Sequence, residues 1–166
     1  MITITPATAR DVPDLLNMIR KLCAFHGDPC HMGLADTQTR LIEGMLITLM
    51  ARLDDKPAGY AVLEPRWRPM NTGDLLDIAH LFVEEPLRGR GIGKALIKAA
   101  RDHASQAAAC HLTIGTAPDN PSAAAAYRAM GFEEITSQPG PRFTIPLSAE
   151  PQCGSGYVPD HFGNRA

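Results

Sequence analysis

The sequence predicts an α/β fold with helices on both faces of a sheet, and three observations carry that reading. A nearly continuous apolar run from Leu75 to Val83, interrupted by Asp77 and His80, reads as a buried strand. That strand leads through a glycine-rich turn, Arg88 to Lys94, into a segment whose Leu96, Ile97, Ala100 and Ala104 share one helical face. Around this unit, β-rich runs and helical patterns follow one another through 166 residues, with the 45% apolar and 20% charged content of an ordinary globular chain.

The elements follow in order. Ile2 to Thr5 is a short β-branched strand. After Pro6 a first helix starts with Thr8 or Asp11 as its cap and buries Val12, Leu15, Leu16, Ile19 and Leu22. Gly27, Pro29 and Gly33 then break the pattern into a loop, and a second helix covers about Asp36 to Met45. Leu46 to Leu53 and Ala58 to Glu64 read as two strands joined by a hairpin turn at Asp54–Pro57. The proline-bounded loop 65–73 holds the only tryptophan, Trp67, between Arg66 and Arg68. It reads either as a surface loop with one anchoring aromatic or as a ligand wall or subunit contact. Beyond the central strand and helix, Cys110 to Gly115 alternates as a strand. Asn120 caps a helix with Pro121 at its first position, and Gly131 ends it. Phe132 to Thr136 and Arg142 to Leu147 are the last two expected strands. Residues 1–147 are expected to form a single domain. The tail 148–166, punctuated by Gly and Pro, is expected to be extended or disordered.

Composition excludes several functions. A net charge of -2 with no basic run argues against a nucleic-acid surface. The first residues lack the basic-then-apolar layout of a signal peptide, and no apolar stretch approaches membrane-spanning length. Four scattered cysteines do not make a disulfide framework, so a reduced, cytoplasmic protein is expected. Cys23, His26, Cys30 and His31 are near one another in sequence. Cys23 falls near the buried stripe of the first helix and no second ligand pair follows, so no metal is expected.

The turn carries the chemistry. Gly89, Gly91 and Gly93 free the backbone of side-chain bulk, so that successive N–H groups can point at one place. With the unpaired N–H groups and positive dipole end of the following helix, and with Arg88, Arg90 and Lys94 nearby, they form an anion site suited to a phosphate-bearing ligand. Two familiar phosphate loops fail here. Gly93-Lys94 is followed by Ala95 where a P-loop needs Ser or Thr, and Lys94 stands where the dinucleotide fingerprint needs its third glycine.

Arg88-x-x-Gly91-x-Gly93 between a strand and a helix does resemble the pyrophosphate loop of the GNAT superfamily of acyl-CoA-dependent N-acetyltransferases. The segment from Asn120 through Ala123 and Tyr127 to Gly131-Phe132 resembles that family's second signature. The opening ITITPAT resembles the family's common first strand, so the likeness covers most of residues 1–147. It implies a mixed, mostly antiparallel sheet of six or seven strands, with helices on both faces and central strands that splay to admit the cofactor. Acetyl-CoA is then the co-substrate. The backbone of Leu81, Phe82 and Val83 holds its pantetheine arm. The turn of Arg88, Gly89, Arg90, Gly91, Ile92, Gly93 and Lys94 holds its pyrophosphate, with Asn120 as a further contact subordinate to its capping role.

Acetyl transfer needs a deprotonated amine, a polarised thioester carbonyl and a proton for the leaving thiolate. Tyr127 occupies the position at which the family often places the acid. For the base, Asp77 is preferred to His80. Strict alternation sets Asp77 on one face with Ala79, Leu81 and Val83, and His80 on the other with Ile78 and Phe82. A bulge would re-aim His80, and some relatives use a water chain instead. Polyamine-acetylating relatives carry an acidic pair where this chain has Ala79-His80, although the layout resembles that branch most. His26, Asp28 and His31 fall in the loop that commonly lines the acceptor pocket. No Cys or Ser sits in a nucleophile motif, so the amine is expected to attack the thioester directly. The expectation is a homodimeric enzyme acting on the primary amine of a small molecule. A peptide or protein N-acetyltransferase and a non-catalytic acyl-CoA sensor are the alternatives.

Overall fold

The structure is a computed structural model that describes residues 1–66, 75–118 and 120–135. Its centre is a meander of antiparallel strands. Strands β2 (Ile47–Leu53) and β3 (Lys56–Arg66) are joined at Asp54 and Asp55, whose φ angles of 49° and 63° give the left-handed turn that matches strand twist. β3 also pairs antiparallel with β4 (Leu75–Val83), and β2 with β1 (Ile2–Pro6). β5 (His111–Ile114) lies beside β4, giving a five-stranded sheet in the order β1-β2-β3-β4-β5. The six or seven strands expected from sequence are therefore not seen among the described residues. Phe132–Ile135 form no strand, and 136–147 lie outside the described residues, as do the loop 67–74 and the tail.

The sheet is covered on both faces. Helix α1 (Val12–His26) buries Val12, Leu15, Leu16, Met18 and Ile19. Leu15, Met18 and Ile19 form one core cluster with Met50, Tyr60, Val62 and Phe82 of the sheet and Leu41 of α2 (Leu34–Leu41). Helix α3 (Ile92–Gln106) packs on β1 to β4 and buries Ile92, Leu96, Ile97, Ala100 and Ala104, the stripe read from sequence plus Ile92. Buried sheet residues outside the α1 cluster, such as Ala61, Leu63 and Ile78, belong to this second face by strand alternation.

Local chemistry sets the boundaries. Asp11, 4% exposed, accepts from the Thr8 N–H (2.7 Å) and hydroxyl (2.9 Å) and pairs with the guanidinium of Arg52, tying the start of α1 to β2. Helix α2 ends at Leu41 rather than Met45. The N–H groups of Ile42 and Glu43 converge on the Gln38 carbonyl at 3.1 Å, and the Thr48 hydroxyl takes the Leu41 carbonyl at 2.7 Å. Two compact units are present, Met1–Thr113 and a second beginning at Ile114 that contains α4 (Pro121–Ala129).

Candidate functional site

The sequence breaks strand regularity where chemistry is needed. In the β3–β4 ladder Val62 faces His80 and Leu63 faces Ile78, so Ala79 is squeezed out as a β-bulge. The extra residue moves everything before it to the opposite face. His80 lies with Phe82 beside Tyr60 and Val62, as alternation predicts. Asp77, opposite Glu64, joins them on that same face, and Ile78 goes to the other. The sequence expectation of Asp77 and His80 on opposite faces is corrected by this one residue.

The two side chains have different surroundings. Asp77 is 1% exposed; its Oδ1 accepts from the Thr113 hydroxyl at 2.6 Å and its Oδ2 lies 3.4 Å from the guanidinium of Arg66. Arg66 also reaches Glu64 at 3.3 Å. His80 is half-buried, with Nδ1 3.4 Å from the Tyr60 hydroxyl and its ring edge-on to the Tyr60 ring at 6.1 Å. Tyr60 has no exposed surface. Burial, helped by the nearby Cys23 and Cys30, raises its phenol far above the ordinary value, so its hydroxyl keeps its proton.

Beyond the bulge, Leu81, Phe82 and Val83 keep their ladder with β3, while β5 falls short of them. Thr113, third of four β5 residues, lies beside Leu76 and Asp77, so β5 reaches no further than about Ala79 in either direction. Among the described residues, the outer backbone edge of Leu81–Val83 is therefore not covered by β5. The chain next makes a 3-10 turn at Glu85–Leu87 and enters the glycine turn. Gly89 and Gly91 have φ of 77° and 85°, conformations that a side chain disfavours, and a Cβ at either would meet open space. Gly91 caps α3, and the first intrahelical bond runs from the Ala95 N–H to the Gly91 carbonyl (2.9 Å). No side chain caps this end and no acidic residue occupies the first turn, which leaves the N–H groups of Ile92, Gly93 and Lys94 aimed out of the helix start. Sequence placed these three in the turn; they are the first turn of the helix itself.

The cations are divided. Arg90 and Lys94 are exposed at the turn. Arg88 folds back, its Nε donating to the Val83 carbonyl at 3.3 Å and its guanidinium lying 5.6 Å over the exposed Phe25 ring of α1. Lys21 of α1 reaches Glu84 at 2.7 Å. The end of β4 is thus fastened to the last turns of α1, contacts that no spacing in the sequence signals.

In the second unit, Asn120 accepts from the Ala123 N–H at 3.2 Å and the Ser122 hydroxyl at 3.0 Å, and so acts as the cap that the sequence predicts. Tyr127 is half-buried on α4, its ring 6.1 Å from Phe132. His26 and His31 are exposed and Asp28 half-buried in and beside the loop between α1 and α2. Among the described residues, no three His, Cys, Asp or Glu side chains are grouped to hold a metal ion.

A sheet flanked by helices, whose bulged strand runs into a helix start with no side-chain cap, offers backbone donors of the kind that suit a phosphate group. The Acetyltransferase (GNAT) family model matches residues 16–132, and the chain belongs to that family, a class of acetyl-CoA-dependent N-acetyltransferases. An uncharacterized N-acetyltransferase of Methanocaldococcus jannaschii is 29% identical over 86 residues, 51% of this chain and 38% of that protein. YhfO of Bacillus subtilis, also an uncharacterized N-acetyltransferase, is 30% identical over 99 residues, 60% of this chain and 66% of its own length. The chain thus spans less than two thirds of either relative. The solved structure of AAC(6')-Iy with a CoA-S-monomethyl-acetylneamine bisubstrate analog superposes with a TM-score of 0.75 at 20% identity, over 87% of this chain and 99% of that one. That likeness is one of fold.

Proposed function

We propose that the protein transfers the acetyl group of acetyl-CoA to the primary amine of a small molecule by direct attack. The observation that supports this most is the continuity of β4. One strand carries the bulge at Ala79, the backbone edge at Leu81–Val83 that β5 does not reach and the run into the N–H groups at the start of α3. The pyrophosphate of acetyl-CoA lies on the turn from Arg88 to Lys94, held chiefly by main-chain N–H groups, with Arg90 and Lys94 supplying field rather than fixed contacts. The backbone of Leu81, Phe82 and Val83 binds the pantetheine arm, and N–H groups near Val83 polarise the thioester carbonyl. Asn120 is a secondary cofactor contact.

For proton removal, the geometry favours His80 over Asp77. The Asp77 carboxylate is already engaged by Thr113 and Arg66, whereas His80 is a half-buried imidazole, a side chain suited to proton transfer, set beside the Tyr60 hydroxyl. Tyr127 donates a proton to the departing sulfur. The protein is a cytoplasmic homodimer in this reading; among the described residues no helix is long and apolar enough to cross a membrane.

The test is CoA release from acetyl-CoA across polyamines, lysine analogues, amino acids, aminoglycosides and N-terminal peptides. A small-amine hit is expected, with His80→Ala and Tyr127→Phe each lowering kcat by about 10²-fold or more. Turnover on peptides alone would move the acceptor class to protein amines. Saturable acetyl-CoA binding without release on any amine would make the protein a sensor. A stable acetyl-enzyme formed with acetyl-CoA alone would overturn direct attack.

A further inference from the structure

The chain reverses sharply at the end of α1. Gly27, with φ 75°, donates to the Ala24 carbonyl at 3.2 Å, and Asp28 donates to the Cys23 carbonyl at 2.9 Å. This turn folds the loop back over the last turn of the helix and returns Cys30 to Cys23. Both thiols are half-buried and free, both pack against the core cluster that contains Tyr60, and Cys30 lies close enough to Cys23 to raise its thiol. Neither belongs to the acyl-donor site.

We propose that Cys23 and Cys30 form a modification site, a thiol pair that closes to an intramolecular disulfide by exchange with a small-molecule disulfide. The Cys30 thiol, on the loop, gives up its proton to solvent and attacks one sulfur of the small disulfide, expelling the first thiolate, which takes up a proton. The Cys23 thiol then gives up its proton to solvent and attacks the Cys30 sulfur, expelling the second. Two cysteine thiols are oxidised, one small disulfide is reduced to two thiols, and nothing else is consumed.

The order of attack follows from the surroundings. Burial, then the charge and hydrogen bond of Cys30, then Asp28, raise the Cys23 thiol to about 11, so it is rarely a thiolate while Cys30 is free. Once Cys30 is in a mixed disulfide, its charge and its hydrogen bond no longer hold the Cys23 proton. Cys23 is then the resolving thiol. Six residues separate the pair, and the reversal at Gly27 sets both side chains against one core cluster, so closure needs adjustment of the loop and not of the sheet.

The experiment exposes the full chain to oxidised glutathione, digests it without reduction and maps every cysteine by mass. The expected result is a Cys23–Cys30 cross-linked peptide lacking two hydrogens and restored by dithiothreitol, while the exposed Cys110 carries glutathione. The Cys30→Ser chain should lose the cross-link. Two outcomes overturn the proposal. In one, Cys23 and Cys30 stay reduced, or each keeps its own glutathione, under conditions that modify Cys110. In the other, either thiol pairs instead with Cys110, Cys153 or a second chain.

Discussion

The Asp77 carboxylate and the Arg66 guanidinium lie 3.4 Å apart on one sheet face, with Asp77 1% and Arg66 22% exposed. A carboxylate buried to that degree needs polar partners, and Arg66 and the Thr113 hydroxyl are two of them. Asp77→Asn keeps an acceptor for Thr113 and removes the charge facing Arg66. It should lower stability by about 1–3 kcal/mol in urea unfolding. The kcat of the folded fraction should fall far less than in His80→Ala. A collapse of kcat at unchanged stability would return the base to Asp77.

The turn glycines should separate by position. Gly91 has φ 85° and would direct a Cβ into open space, so Gly91→Ala should cost about 1–2 kcal/mol in backbone strain and also weaken acetyl-CoA binding. Gly93 lies within α3, and among the described residues its Cβ would meet only the Val83 side chain, at 3.8 Å. Gly93→Ala should therefore gain up to about 1 kcal/mol of helix stability and leave acetyl-CoA affinity unchanged. Thermal melts with and without acetyl-CoA, together with calorimetric titration, measure both. A weakened Gly93→Ala complex would mean that the ligand approaches from the Val83 side.

The sequence was most legible where local rules suffice. The apolar stripe of α3, the Asn120 cap and the run of β4 depend on neighbours in sequence and appear as read. By contrast, α1 buries Met18 in place of the expected Leu22, and the hairpin is tighter than Asp54–Pro57, with Lys56 and Pro57 already in β3. It was less legible where a distant partner decides. The bulge at Ala79 depends on how β3 pairs with β4, so alternation along β4 alone assigned Asp77 and Ile78 to the wrong faces. The partners of Asp77, Arg66 and Thr113, lie 11 and 36 residues away, and no spacing links them to it. The contacts of Arg88 with the Phe25 ring and the Val83 carbonyl likewise depend on partners that no spacing signals.

Alkali should loosen the face beneath α1. Burial raises the Cys23 thiol from 9.0 to about 11 and raises Tyr60 further still. Between the unfolded and folded values the unfolded chain has lost protons that the folded chain retains. Folding stability is therefore full below about pH 9 and falls as pH rises toward about 11. Urea midpoints across that window should decline, and Cys23→Ala should flatten the decline without abolishing it, because Tyr60 remains. A midpoint constant across the window would show that neither group keeps its proton through burial.

Gly59 couples the fold to the acyl-donor site most directly. It pairs with Val83, and a Cβ there would meet the Phe82 carbonyl oxygen at 2.4 Å and the Val83 Cα at 3.2 Å. Neither neighbour is a flexible side-chain end, so Gly59→Ala must push β3 and β4 apart. The displaced segment is Phe82–Val83, whose backbone borders the proposed pantetheine site and leads into the turn at Arg88. Stability should fall by about 1–3 kcal/mol in urea unfolding. Acetyl-CoA affinity of the folded protein should fall with it if, as proposed, the ligand is held there by backbone groups. Affinity kept at wild-type strength in a destabilised variant would place the pantetheine arm away from this edge.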